Sequence, residues 1–260
     1  MKLGISTACY YPLETELALE EIGASGIKNT EIFFNARSEL KGSFVDILLE
    51  IKNRYGLNVA AVHPTMSLAE PFMIFSGYER RFNESLDEYA RYSEIAAELG
   101  AKYIIMHGGK PGGTLSDEEY CERYMLLKQT TLKNGVTVLQ ENVAKYRSGD
   151  AEFLRVMTDI LGDDAELCFD IKQAIRCGYE PLELMQEFSR YIRHFHISDH
   201  SVAGDCLLPG TGNFDFCEFF KLAGEMDFSG FGMIELYNNA YREYNQIYGS
   251  YNAIKSLTNK

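Results

Sequence analysis

Six polar side chains of the kinds that transfer protons or bind metal ions each lie in, or directly after, a short apolar run. These six are His63, His107, Glu141, Asp170, His196 and Glu235. Any one of them could simply mark the point where a strand meets solvent. Six in one chain are better explained by a shared site, in which carboxylates and imidazoles act as acids, bases or metal ligands.

The apolar runs that carry these residues belong to a repeated pattern. Short segments rich in β-branched and aromatic residues alternate with longer segments of helical period, which is typical of successive βα units. The eight predicted strands are Leu3–Ser6, Thr30–Phe33, Leu57–Val62, Tyr103–Met106, Val136–Gln140, Leu167–Phe169, His194–Ser198 and Phe231–Glu235. Eight such units predict an α/β fold, a single (β/α)8 TIM barrel that spans residues 1–260 as one domain. A doubly wound open sheet would give a similar alternation, and the count of eight favours the barrel.

Local turn and cap signals support this division of the chain. Six glycines come just before predicted strands, where the end of a helix needs a residue with a left-handed backbone. They are Gly26, Gly56, Gly100, Gly135, Gly162 and Gly230. Ser116 followed by Glu119 has the spacing of a capping box, so a helix is predicted to begin there.

The predicted barrel would bring four of the six polar residues together. In a (β/α)8 barrel the active site lies at the carboxyl ends of the strands. Glu141, Asp170, His196 and Glu235 come from four successive predicted strands, so we expect their side chains to converge at one mouth. Three carboxylates packed together repel one another unless a cation joins them. We therefore predict one divalent metal ion, and these ligands suit Mn2+, Mg2+, Co2+ or Zn2+ without choosing among them.

Two neighbouring features have alternative interpretations. His194 and His196 lie on the same predicted strand, and we expect only His196 to point into the barrel, with His194 as a packing residue. The glycine-rich segment 107–113 could bind an anion through its amides, or it could be an ordinary turn between a strand and a helix.

The composition and charge of the chain limit the binding partners and the cell compartment that we expect. The 260 residues include 38 acidic and 25 basic side chains, and the formal net charge of −13 disfavours nucleic acid because a negative field repels phosphates. No apolar run approaches the roughly 18 to 20 residues of a membrane helix, and residues 1–15 lack the layout of a secretory signal. Six cysteines without a Cys-x-x-Cys pair indicate reduced thiols. We expect a cytoplasmic protein with neither a membrane nor a nucleic-acid partner.

The order of these residues resembles the xylose isomerase-like barrel superfamily, which contains sugar and sugar-phosphate isomerases and epimerases, hydroxypyruvate isomerases, inosose and dehydroshikimate dehydratases, and endonuclease IV. The resemblance spans nearly the whole chain. Its most specific parts are the four predicted ligands and the segment 208–216, which is similar to the family's Pro-Gly-x-Gly-x-x-Asp signature. In the family the metal-binding histidine is followed by x-x-Asp, which here selects His196 with Asp199.

Departures from the family pattern bear on the activity. Gln173 stands where the family often has the histidine of an Asp-x-x-His motif after strand six. The Asp-x-His pair of the endonuclease is missing, and Cys206 or Leu207 stands where keto-sugar epimerases usually carry an arginine. Two ligands of a trinuclear zinc cluster are therefore absent from the sequence, which together with the charge of −13 argues against DNA repair.

The resemblance implies a metal-dependent isomerase or epimerase of a small sugar or related hydroxy-carbonyl compound, of the keto-sugar 3-epimerase or hydroxypyruvate isomerase type. Glu141 and Glu235 would be the proton-transfer pair, and removal of the proton would leave an enediolate stabilised by the metal. The candidate substrate contacts are His63, His107, Lys172 and Gln173.

Three alternative functions stay open. A dehydratase of the inosose or dehydroshikimate type would share the proton abstraction and then expel a β-hydroxyl group. An endonuclease IV-like nuclease would need three zinc ions, and a non-catalytic sugar-binding barrel would bind without turnover. Barrels of this superfamily often associate, so the resemblance also implies a homo-oligomer.

Overall fold

Eight parallel strands close into a barrel in the computed structural model, which describes residues 1–65 and 67–258. The barrel strands are β1 Lys2–Ser6, β2 Asn29–Phe33, β3 Asn58–His63, β4 Tyr103–Met106, β5 Thr137–Glu141, β6 Leu167–Asp170, β7 Ile192–Ile197 and β10 Phe231–Ile234; β8 Asp199–Ser201 and β9 Gly204–Leu207 form a hairpin after β7. β10 pairs with β1, with Lys2 opposite Phe231, and this pairing closes the barrel.

The (β/α)8 prediction is confirmed, and the open-sheet alternative is wrong. Each strand lies within two residues of its predicted bounds. The hairpin was not predicted.

Helices connect the strands and pack around the outside of the barrel. They are α1 Thr15–Ala24, α2 Gly42–Tyr55, α3 Glu70–Met73, α4 Glu79–Leu99, α5 Asp117–Leu132, α6 Ala151–Leu161, α7 Ile171–Arg176, α8 Pro181–Glu187, α9 Phe216–Glu225 and α10 Tyr244–Lys255. Apolar side chains on the outward faces of the strands meet these helices: the rings of Phe195 on β7 and Phe219 on α9 lie 5.2 Å apart. None of the helices described is long and apolar enough to cross a bilayer.

The polar side chains of the candidate site lie on the inward faces of the strands. His194 and His196 flank the outward-facing Phe195, both are fully buried, and their rings lie 5.4 Å apart. The expectation that only His196 points inward is wrong, because side chains two residues apart on a strand share a face. Among the described residues, Ala61, Ile105, Leu139 and Cys168 form a small buried apolar cluster.

Most of the predicted helix boundaries hold. Five of the six glycines have positive φ angles. The exception is Gly230, because Asp227, at φ 51°, takes the left-handed conformation after α9. A Cβ atom on Gly230 would lie 2.6 Å from the Arg193 carbonyl oxygen, so glycine is needed there for close packing. The capping box at the start of α5 is confirmed, with Ser116 and Glu119 each accepting from the other's backbone N–H.

Candidate metal centre at the barrel mouth

The structure brings the four predicted ligands together at the carboxyl ends of β5, β6, β7 and β10. Nδ1 of His196 lies 3.1 Å from Glu141 Oε1, 3.6 Å from Glu235 Oε2 and 3.8 Å from Asp170 Oδ2. One nitrogen or oxygen atom from each residue lies within 4.8 Å of the others. Closure of the barrel places these residues as the sequence predicted, and their role as ligands stays a prediction.

The backbone around β6 fixes the direction of the Asp170 side chain. Asp170 is the N-cap of α7, and its Oδ1 accepts the Gln173 N–H at 3.1 Å. The side chain of Asn142, which directly follows β5, holds the same residue: its Oδ1 accepts the Asp170 N–H at 2.6 Å and its Nδ2 donates to the Asp170 carbonyl at 3.0 Å. Because Oδ1 is used by the cap, Oδ2 is left to face the other ligands.

Lys172 reaches the same group from the first turn of α7. Its Nζ lies 2.9 Å from Asp170 Oδ2 and donates a hydrogen bond of 2.8 Å to Glu235 Oε2, and its side chain is 2% exposed. Burial lowers the pKa of Lys172, but the charges of Asp170 and Glu235 outweigh it and hold that pKa well above the ordinary value. The sequence predicted a substrate contact here, and the structure shows a buried ammonium that is hydrogen-bonded to Glu235 and ion-paired with Asp170.

The donor set fits a divalent cation. Within the described residues, Glu141 Oε2 and Asp170 Oδ2 are buried without a hydrogen-bond donor, since the nearby nitrogens of His107 and Lys172 are not aligned to donate to them. Burial raises the pKa of Glu141, but His196 and His107 outweigh it and hold that pKa well below the usual range, so this carboxylate is ionised. Three carboxylates and one imidazole are ligands that Mn2+, Mg2+, Co2+ and Zn2+ accept.

A fourth buried carboxylate, which the sequence analysis missed, lies beneath this group. Glu31 on β2 is fully buried, and its Oε2 lies 3.2 Å from His196 Nε2 and 2.9 Å from His194 Nε2. Its Oε1 lies 3.3 Å from His63 Nε2. Burial raises the pKa of Glu31, but these histidines outweigh it and hold the pKa well below the usual value. A charged residue in the middle of a predicted apolar strand requires a buried partner, and that signal could have marked it.

The remaining predicted residues lie at different depths. His107 Nε2 lies 3.2 Å from Glu141 Oε2, and the rings of His107 and His63 are 5.9 Å apart. His63 is 1% exposed and lies with Glu31 beneath the mouth. Gln173 lines the mouth, and its Oε1 accepts the Ala144 N–H at 3.0 Å. The predicted contacts of these side chains with substrate stay predictions.

A cavity of about 550 Å3 opens above the metal-ligand group. His107, Glu141, Lys172, Gln173 and Glu235 form its floor and one side. The other walls come from the end of β2 and from the loops after the first, second, third and eighth barrel strands, and they include Tyr11, Phe33, Asn35, Thr65, Leu68 and Tyr237. The cavity has the size and the position of an active site in this fold.

The glycine-rich segment 107–113 is mainly a structural turn. The Gly108 N–H donates to Glu70 Oε2 at 2.7 Å, and the Gly109 N–H donates to the Tyr120 hydroxyl at 3.4 Å. Because the protein's own side chains use these two amides, the segment does not offer them to an anion. Of the two interpretations of this segment, the structure favours the turn.

Two solved structures are similar to this chain over nearly its whole length. A D-tagatose 3-epimerase-like protein superposes with a TM-score of 0.82 at 21% identity, covering 100% of this chain and 97% of the other. The IOLI protein, solved with a bound zinc atom, superposes with a TM-score of 0.74 at 20% identity, covering 99% and 96%. At these identities the likeness shows the fold.

Comparison of the sequence with known proteins identifies the family. Inosose dehydratase from Clostridium botulinum is 23% identical over 255 residues, which cover 85% of this chain and 81% of the relative. The family model described as xylose isomerase-like TIM barrel matches residues 17–255. Since this match takes in most of the barrel and all four candidate ligands, the chain belongs to the xylose isomerase-like TIM barrel family.

Proposed function

We propose that the protein is a metal-dependent isomerase or epimerase of a small sugar or related hydroxy-carbonyl compound, of the keto-sugar 3-epimerase or hydroxypyruvate isomerase type. The observation that carries this proposal is the position of Glu141 and Glu235. Both line the cavity, both belong to the candidate ligand group, and they come from β5 and from the end of β10, with β6 and β7 between them. They would therefore reach a substrate in the cavity from two sides.

One divalent ion, Mn2+, Mg2+, Co2+ or Zn2+, would be held by Glu141, Asp170, His196 and Glu235. Bound there, it would act as a Lewis acid on the carbonyl and the adjacent hydroxyl of the substrate. The His196 imidazole would contribute Nδ1, because Nε2 faces Glu31. Family membership and the bound zinc of the IOLI protein support this assignment.

The two glutamates would exchange the proton on the carbon between these oxygens. Burial raises the pKa of Glu235, but Lys172 and His196 outweigh it and hold that pKa below the ordinary value. Glu141 is ionised for a similar reason, so either carboxylate can accept a proton at neutral pH. The carboxylate on one face would remove the proton, leaving an enediolate, and a proton returned from the other face would give the epimer. His107, Lys172 and Gln173 would orient the hydroxyl groups.

A dehydratase is the second candidate, because inosose dehydratases are among the sequence relatives of this chain. The same carboxylates would remove the proton, and a β-hydroxyl group would then leave. The two activities separate at the product: dehydration creates a conjugated carbonyl compound with a new ultraviolet absorbance, whereas epimerisation does not.

Metal content and proton exchange test the proposal. We expect one metal ion per chain by inductively coupled plasma mass spectrometry after loading with Mn2+, and loss of the ion in a His196→Ala, Glu235→Gln double variant. Glu225→Gln, at an exposed position, is the matched control. The loaded protein is then incubated in D2O with ketoses and hydroxypyruvate, and deuterium incorporation is followed by NMR.

Each result has a distinct meaning. Exchange in the wild type and in the control, but not in the double variant, supports the proposal. Binding of a ketose without exchange would instead indicate a non-catalytic barrel. Close to three zinc ions per chain with cleavage of abasic DNA would indicate the nuclease, and failure to bind any of the four metals would refute the metal-dependent mechanism.

A further inference from the structure

We propose that the substrate of this cavity is uncharged: a polyhydroxy carbonyl compound with neither a phosphate nor a carboxylate group, held against tyrosine and phenylalanine side chains. This inference rests on the proposed function and narrows it to the keto-sugar type, since hydroxypyruvate is an anion. Four features of the cavity mouth support this inference. The charged groups on the cavity floor are paired with one another, and Arg176 is paired with a carboxylate. The backbone amides of the loop after β7 are occupied by an aspartate of the protein, and the remaining walls are uncharged.

The basic side chains on the floor of the cavity are already paired with carboxylates of the protein. Among the described residues that line it, Lys172 is the one lysine or arginine, and its ammonium is already paired with Asp170 and Glu235. The other basic side chain is His107, whose Nε2 lies 3.2 Å from Glu141 Oε2 and so faces a carboxylate of the same group. A divalent ion and this ammonium together would balance the carboxylates of Glu141, Asp170 and Glu235. A phosphate or carboxylate group on the substrate would therefore lie near these three carboxylates without a compensating cation.

An arginine beside the mouth is neutralised by the β8–β9 hairpin. Arg176 on α7 makes two hydrogen bonds to Asp205 on β9, of 2.6 Å and 2.9 Å. Its remaining terminal nitrogen donates to the Tyr237 hydroxyl at 2.8 Å. Because a bidentate carboxylate occupies the face of the guanidinium that would bind a phosphate, Arg176 positions the Tyr237 ring instead of an anionic substrate.

The loop after β7 is a common phosphate-binding position in this fold, and here the protein's own carboxylate fills it. Asp199 Oδ2 accepts the N–H groups of Gly210 at 2.9 Å and Gly212 at 2.8 Å. Its Oδ1 accepts those of His200 at 2.7 Å and Phe214 at 3.0 Å. Four amides that could cradle an anion thus converge on Asp199. This also explains the Pro-Gly-x-Gly signature, whose turn wraps around that carboxylate.

Two lysines belong to the neighbouring rim without lining the cavity. Lys110 lies with its Nζ 3.7 Å from the centre of the Tyr146 ring, and Lys145 is exposed on the loop after β5. Neither belongs to the cavity wall.

Neutral groups make up the rest of the walls. Asn35, Thr65 and Asn238 offer uncharged hydrogen-bonding groups, while Tyr11 and Tyr237 are 59% and 47% exposed and present open ring faces. Aromatic faces pack against the C–H faces of a carbohydrate, and amides and hydroxyls bind its hydroxyl groups. This combination fits an uncharged polyhydroxy compound.

Matched pairs of substrates test the inference. The Mn2+-loaded protein is incubated in D2O with D-fructose, D-tagatose and D-ribulose, with the terminal phosphate ester of each, and with hydroxypyruvate, and exchange at the carbon beside the carbonyl is followed by NMR. We expect kcat/KM for at least one free ketose to exceed that for its ester by about tenfold or more, because an unpaired anion near like charges is disfavoured.

A variant that frees a positive charge at the mouth tests the same preference for free ketoses over their phosphate esters. Asp205→Asn releases the Arg176 guanidinium at the mouth and should raise exchange with the esters relative to the free ketoses. Asp163→Asn is the matched control, since it releases Arg190, which pairs with Asp163 at the opposite end of the barrel, where α8 leads into β7. The ester-to-ketose ratio should not change in this control.

The outcomes separate this inference from the proposed function. An ester exchanged as fast as its free ketose or faster, or exchange confined to hydroxypyruvate, would overturn the uncharged substrate and leave the isomerase proposal in place. Loss of ester exchange in Lys110→Met would then identify the anion site on the rim. Absence of exchange with every compound would refute the proposed function and the substrate class together.

Discussion

Glu31 Oε2 lies 3.2 Å from Nε2 of His196, on the side of the imidazole opposite the three carboxylates of the candidate metal centre, and both residues are fully buried. A carboxylate in this position holds the hydrogen on Nε2 and leaves Nδ1 directed at the ligand group. Histidines that bind metals commonly have such a partner, which fixes the tautomer and the orientation of the ring. Glu31 is thus placed to orient the imidazole of the candidate ligand His196.

Glu31→Gln should weaken metal binding while the fold is kept. The amide preserves the shape of the side chain but removes the charge that fixes the His196 tautomer. We expect the dissociation constant for Mn2+, measured by isothermal titration calorimetry, to rise about 10- to 100-fold. The control is Glu225→Gln, and circular dichroism should show unchanged secondary structure. An Mn2+ affinity equal to that of the wild type would show that Glu31 is only a packing residue.

Glu141→Gln and Glu235→Gln should separate the two halves of an epimerisation. If the carboxylates act on opposite faces of the substrate, each variant loses proton exchange with one epimer and keeps part of it with the other. Loss of a general base should lower the affected exchange about 10²- to 10⁴-fold. The measurement is deuterium wash-in from each pure epimer by NMR, at Mn2+ concentrations that saturate each variant. Equal losses for both epimers in both variants would contradict a two-base mechanism.

Lys172→Met should make the stability of the protein depend on metal. Without the ammonium, Asp170 and Glu235 keep buried negative charges, and breaking a buried ion pair in this way costs about 3 to 5 kcal/mol. A divalent ion bound to the same carboxylates would offset that cost. We therefore expect a lower melting temperature in EDTA and a larger rise on addition of Mn2+ than in the wild type. Lys221→Met, which removes an exposed pair with Glu218, should show neither effect.

Glu70 should make stability fall as the pH rises toward neutral. Burial raises the pKa of this carboxyl to about 7, against the attraction of His107 and the hydrogen bonds from Gly108 and Tyr89. Between the ordinary value of 4.5 and about 7 the folded protein binds a proton that the unfolded chain has lost. The contribution of Glu70 to the free energy of unfolding therefore falls by about 1.4 kcal/mol per pH unit in this window, and levels off above it.

Glu70→Gln should remove this dependence, because the amide can accept from Gly108 and donate to the Tyr89 hydroxyl without a charge. Urea unfolding at pH 5, 6.5 and 8 should show the variant gaining stability relative to the wild type as the pH rises. Glu84→Gln, at an exposed position, is the control. A difference that stays constant over the three pH values would rule out a raised pKa for Glu70.

Much of the fold and the positions of the candidate ligands could be predicted from the sequence, because the signals are local. Each strand is a short apolar run, and helix ends are marked by glycines or a capping box. The candidate ligands lie at or near the ends of the runs that position them. Glu141 and Asp170 are the last residues of β5 and β6, and Glu235 directly follows β10. In a barrel that is enough to place these residues at one mouth.

Only the tertiary structure decided which groups meet inside the barrel. Glu31 and His196 are 165 residues apart, and Lys172 and Glu235 are 63 apart, so no spacing along the chain indicates either contact. The same holds for Asp199, whose role depends on a turn that folds back over it. Strand sequences determine which residues can face inward, whereas closure of the sheet determines which of them come within hydrogen-bonding distance. Partners, protonation states and the charge of the cavity depend on those distances.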